Sequence, residues 1–98
     1  MTVKFGLLVQ LEAKPGKGSN LGEFLEAARA LALREEGTVT WYAFKINDTA
    51  YGIFDTFDTE PARDAHLNGQ IPKALGKIVP EMLAGDPDVQ AIDVIAVK

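Results

Sequence analysis

"TVTWYAFKINDTAYGIFDTF", residues 38–57, decides the fold. Two runs rich in β-branched and aromatic residues, 38–46 and 50–57, flank the short turn Asn47-Asp48-Thr49, a pattern that predicts a β-hairpin. Upstream, Phe5, Leu7, Val9 and Leu11 alternate with Lys4, Gly6, Gln10 and Glu12, the period of a strand between Val3 and Ala13. "KPGKGSN" (14–20) is a loop. Asn20 with Glu23 then makes a capping-box-like start for a helix with an apolar stripe of Leu21, Phe24, Leu25, Ala28, Leu31 and Ala32, and Gly37 suits its stop.

Downstream of the hairpin, Asp58 and Thr59 can cap a second helix that tolerates Pro61 in its first turn and closes at Gly69. From Gln70 a further helical stretch carries Ile71, Leu75, Ile78, Val79 and Met82 on one face, and Pro80 inside it predicts a kink or two short helices. "DVQAIDVIAVK" (88–98) reads as the closing strand. The order β-α-β-β-α-β predicts one ferredoxin-like α+β domain over residues 1–98, with a four-stranded antiparallel sheet and helices on one face.

That arrangement leaves one sheet face bare, and a bare face should alternate to polar. Here both registers carry large apolar residues. Val39, Trp41, Ile53 and Phe57 fall on one side of the hairpin, and Tyr42, Phe44, Ile46 and Phe54 on the other. In the last strand Val89, Ile95 and Val97 oppose Ile92, Val94 and Ala96. A second copy of the sheet is the simplest cover, so a homodimer through the sheet faces is expected.

Composition narrows the function classes. The net charge of −4 with scattered Lys and Arg gives no basic stripe, which argues against nucleic acid. No apolar run approaches the length of a membrane span, and the N-terminus lacks the marks of a signal peptide. The absence of cysteine rules out thiolate catalysis, disulfides and Cys-ligated metals, and fits the cytoplasm. "EAKPGKGSN" sits where a phosphate loop would, but Gly16-Lys17 is followed by Gly18 instead of Ser or Thr. His66 is the single histidine, and with only nearby carboxylates to join it, no metal site is expected.

Acid–base chemistry remains. Asp55 lies mid-strand on the register of Tyr51 and Ile53, where an acid is costly unless it is paired. Arg63 or His66, on the helix that follows, is placed to reach it. Such a pair is either a structural pin or a His–Asp couple that sets the imidazole tautomer. Trp41 is likewise either core or a donor for a bound oxygen.

Together, the Trp on the second strand, the Phe54-Asp55-Thr56-Phe57 strand end and the R-x-A-H-L-x-G motif of Arg63 to Gly69 resemble the antibiotic biosynthesis monooxygenase family, and the likeness runs through the closing strand. The resemblance implies a dimeric α+β barrel with a pocket between sheet and helices in each subunit. It also implies oxidation of a quinol- or anthrone-like aromatic by O₂ without metal, flavin or haem, because a deprotonated phenol reduces O₂ itself. On that reading His66 takes the phenolic proton and Asp55 orients it. Trp41 and Tyr51 are the candidate donors, and Phe24, Phe44 and Phe57 the walls. Trp41, Arg63 and His66 rest on motif positions; the others follow from strand register.

A haem-degrading branch of the same fold uses an Asn, a Trp and a His where this chain has Val9, His66 and Gly76, so haem degradation is not expected. A non-catalytic small-molecule-binding or regulatory dimer, or an isomerase or dehydratase on the same barrel, is the alternative.

Overall fold

The computed structural model describes residues 3–98; Met1 and Thr2, the start of the expected domain span, lie outside the described residues. The elements run β1 (Phe5–Glu12), α1 (Gly18–Ala32), β2 (Thr38–Lys45), β3 (Ala50–Phe57), α2 (Glu60–Leu67), α3 (Gln70–Met82) and β4 (Asp88–Asp93). The four strands form one antiparallel sheet in the order β2-β3-β1-β4. This is the ferredoxin-like α+β fold, with the second helical layer divided into α2 and α3.

Strand register follows the apolar alternation. Phe5 pairs with Phe57, Leu7 with Asp55, Val9 with Ile53 and Leu11 with Tyr51, and this set faces the helices. Leu21, Leu25, Ile71 and Leu75 close over it and complete the core. On the other face, Tyr42 stacks on Phe54 with ring centroids 6.5 Å apart, and no element covers them. Val39 is the extra residue of a bulge between Thr38 and Thr40, which breaks the simple alternation expected for β2.

Four boundaries differ from expectation. Helix α1 begins at Gly18, capped by the backbone of Lys17 and by no side chain, so Asn20 and Glu23 form no capping box. The cause is the turn before it: Gly16, at φ +79°, lets Lys17 N–H donate to the Lys14 carbonyl at 2.9 Å, and the chain runs straight into the helix. The helix also ends at Ala32, short of Gly37. Pro80 neither ends nor divides α3, because it stands in the last turn, where it deletes only the bond to the Gly76 carbonyl. β4 stops at Asp93, opposite the first residue of β1; Val94 N–H still donates to the Lys4 carbonyl at 2.8 Å, but beyond it the chain has no strand to pair with and Ile95 is 98% exposed.

Three backbone hydrogen bonds fasten one corner. Lys14 N–H donates to the Met82 carbonyl at 2.7 Å, Ala84 N–H to Glu12 at 2.8 Å, and Ala13 N–H to Thr49 at 2.7 Å. They tie the end of α3 and the β2–β3 turn to the end of β1.

Candidate active site around His66

Thr59 starts α2: its hydroxyl accepts from Ala62 N–H at 3.2 Å, and Pro61 fills the first turn. Laid across β1 and β3, this two-turn helix buries one residue, His66. Its Nε2 lies 3.0 Å from Oδ2 of Asp55, which is fully buried on β3. The contact is close but off-line, an ion pair by distance that fails hydrogen-bond geometry, so both Asp55 oxygens lack a well-aligned donor. Of the two expected partners for Asp55, His66 is the one that meets it.

The other ring nitrogen meets a residue the sequence did not single out. Glu35 Oε1 lies 2.6 Å from His66 Nδ1 and also accepts from the Thr38 hydroxyl at 2.7 Å. Glu35 belongs to the loop after α1. Nothing in Arg34-Glu35-Glu36 separates it from Glu36, an exposed neighbour of the same type. Gly37 brings the loop in, since a Cβ there would lie 2.7 Å from that of Ala62. The imidazole is thus held between two carboxylates from different elements. Burial works against its charged form, but the close contacts and negative charges of Asp55 and Glu35 outweigh burial, and the His66 pKa is raised above its ordinary value.

His66 stands between two cavities. One, of about 170 Å³, lies between the sheet and α3 and is walled by Leu7, Val9, Ile53, Ile71 and Leu75. The other, of about 330 Å³, is lined by Glu35, Arg34, Thr38 and Gln70 together with Leu31 and Ala65. Phe57 leans on the imidazole, ring centroids 5.4 Å apart.

The remaining candidates are dispersed. Trp41 sits directly across from Asp55 in the β2–β3 pair, and its indole N–H is buried without a partner. Tyr51 is four residues up β3, ~13 Å away at strand rise; with Phe44 it lines a separate groove of about 430 Å³ between α1 and β2. Phe44 lies on the bare sheet face, over Gly52. Phe24 packs against the core and lines neither His66 cavity. Arg63 donates to the Ile92 and Gly6 carbonyls at 3.2 and 3.4 Å, and its guanidinium lies over the Phe5 ring. It stitches α2 to β1 and β4 and touches neither cavity. The structure therefore gathers His66, Asp55, Phe57 and Trp41, adds Glu35, and leaves the other four elsewhere.

Among the described residues no group of three or more His, Cys, Asp or Glu is placed to hold a metal ion. Asp55 and Glu35 approach opposite nitrogens of one ring and cannot converge on a cation. Among the same residues no helix is long and apolar enough to cross a membrane.

The sequence matches no family model and no curated protein. Among solved structures it is similar to the NE2512 protein of unknown function from Nitrosomonas europaea, at 42% identity over 98% of this chain and 93% of that one, with a TM-score of 0.95. It is similar too to a Caulobacter crescentus protein provisionally named an antibiotic biosynthesis monooxygenase, at 20% identity over 96% and 92% of the two chains, TM-score 0.78. A second Nitrosomonas europaea protein with the same provisional name shares 14% identity over 94% of this chain and 99% of that one, TM-score 0.82. These last two likenesses are of fold.

Proposed function

The chain belongs to one family with the Nitrosomonas europaea NE2512 protein and has the fold of the antibiotic biosynthesis monooxygenases, and on that premise we propose that it oxidises a small quinol with O₂, using His66 as the proton acceptor. The observation that carries this reading is the apolar cavity whose only titratable wall residue is His66.

Hydrocarbon walls suit O₂ and an aromatic ring, and they strengthen the interaction of any charge that develops inside. His66 takes a phenolic proton, breaking O–H and forming N–H. The quinolate then passes an electron to O₂, the two radicals join at a ring carbon as a peroxide, His66 returns its proton to that peroxide, and loss of water leaves a hydroxyquinone. One oxygen atom enters the ring, the other leaves as water, and the quinol supplies every electron, so the reaction needs no added cofactor.

Size selects the substrate. An engineered apolar cavity of about 150 Å³ holds benzene, so about 170 Å³ takes one ring. Three fused rings, as in an anthrone, require α3 to move. Two copies joined through their sheet faces would cover Tyr42, Phe54 and Ile92, and the cysteine-free composition suits work in the cytoplasm.

A second reading is supported by both ring nitrogens being engaged: a binding protein in which Glu35-His66-Asp55 pins three elements together. Oxygen uptake by the purified protein, with one-ring hydroquinones and with an anthrone, separates the two. Consumption of the one-ring compounds, falling about 10²- to 10⁴-fold in His66→Gln, is the expected result. No uptake with any of them favours the binding protein.

A further inference from the structure

The groove of about 430 Å³ between α1 and β2 is lined by neither His66 nor its two carboxylate partners. Trp41, Ala43 and Lys45 pair across the sheet with Asp55, Ile53 and Tyr51, which face the helices, so they turn the same way and form its floor. Gly22, Leu25, Glu26 and Arg29, spaced three and four apart, set one face of α1 along its wall. Gly22 on the helix and Ala43 on the strand bring little side chain, and the trough stays open. Two polar groups on its walls have no partner. Tyr51 is 6% exposed, yet among the described residues its hydroxyl makes no hydrogen bond, and it is not sealed from solvent. That hydroxyl sits under the first turns of α1, where a Cβ on Gly18 or Gly22 would lie 3.1 or 4.0 Å from it. The Trp41 indole N–H is buried without a partner, a costly state for a donor. The two cations differ as well. Lys45 Nζ lies 3.5 Å from Oδ1 of Asp48, whereas Arg29 makes no ion pair among the described residues.

We propose that this groove is a second binding site, for a planar two-ring hydroxycarboxylate whose carboxylate lies on Arg29, hydroxyl on Tyr51 and rings along Trp41 and Leu25. The inference is independent of the His66 reading. A guanidinium takes a carboxylate through two parallel hydrogen bonds, and Arg29 is the cation without a partner, so the anion is assigned to it and not to Lys45. Length sets the ring count. Gly22 stands over the Tyr51 ring, its Cβ position 3.5 Å from Cε2. Arg29 is two helical turns further on, ~10 Å. Helical side chains lean toward the N-terminus, which draws the guanidinium back toward Tyr51. One ring between the two groups is too short, and two fused rings span the gap. Volume agrees: about 150 Å³ holds benzene, so about 430 Å³ takes two rings with their substituents. Glu26, the one carboxylate among the described wall residues, disfavours a second negative charge on the ligand.

Because the chain has a single tryptophan, its indole N–H resonance is assigned without ambiguity in ¹⁵N-labelled protein and reports on the groove. The probes are 6-hydroxy-2-naphthoate and 2-naphthol, which keeps the rings and the hydroxyl and lacks the carboxylate. The naphthoate should shift the Trp41 resonance saturably and bind about 10-fold more tightly than 2-naphthol, as hydrogen bonds to a charged group warrant. Arg29→Gln, at an exposed position, should abolish that preference, and Glu26→Gln, also exposed, should strengthen binding of the naphthoate alone. No saturable shift at millimolar concentration, equal binding of the two probes, or a preference that survives Arg29→Gln overturns the proposal; the last places the ligand elsewhere, beside His66 for example. None of these measurements involves O₂. Binding by a protein that consumes no O₂ with hydroquinones upholds the groove and removes the monooxygenase reading; an active enzyme that binds neither probe here removes the groove alone.

Discussion

Gly37 and Ala62 approach so closely that a Cβ on the glycine would lie 2.7 Å from the Cβ of the alanine. This contact seats the loop that carries Glu35 against α2. Gly37→Ala should push the loop outward, costing about 1 to 3 kcal/mol as an overpacked contact. It should also weaken the Glu35–His66 contact, so that the His66 resonance titrates at lower pH than in the wild type. Unchanged stability and unchanged titration would show that the loop adapts.

Asp55 is fully buried on β3 and costly to disturb. Asp55→Ala removes one partner of a buried ion pair, a loss of about 3 to 5 kcal/mol, and should appear as a lower denaturant midpoint. The same change takes away the largest group holding the imidazole charged, so the His66 pKa should fall.

Stability should depend on pH with a defined sign. The folded His66 pKa lies above the unfolded value of about 6.5. The folded state therefore binds the proton more tightly, and this contribution is fully present below pH ~6.5. It is lost as pH rises from there through the folded pKa. Denaturant midpoints measured from acid to alkaline pH should fall across that window in the wild type and lose this step in His66→Gln.

On the bare sheet face, Ile92 is half-buried and Phe44 lies over Gly52. If two copies pack through this face, Ile92→Asp or Phe44→Asp places an unpaired carboxylate in the contact. Light scattering at micromolar concentration should report a dimer for the wild type and a monomer, or unfolded protein, for the variants. A well-folded wild-type monomer would refute the packing.

The hairpin, β1 and the helical stripes were legible because period-two and helical apolar patterns reflect which face is buried, and Leu7, Ile53 and Leu21 obey them. Boundaries were less so. Gly37 reads like a helix stop, but its small size is used instead for contact with Ala62. The His66–Asp55 pairing was accessible because an acid in an apolar strand demands a partner. Glu35 was not, since a carboxylate in a charged run carries no mark of the loop that folds it inward. Arg63 shows the converse: a charged residue in a suggestive motif whose hydrogen bonds go to two backbone carbonyls and to Glu60 on its own helix.

The corner at which Lys14, Ala13 and Ala84 make their backbone bonds has a mechanical consequence. It fixes the far end of α3, while the apolar cavity lies under the near end, at Ile71, Pro72 and Leu75. There the helix follows α2 directly through Asn68 and Gly69, whose hydrogen bonds are local. The helix is thus held at both ends, by backbone bonds beside Met82 and by the buried side chains of Ile71 and Leu75.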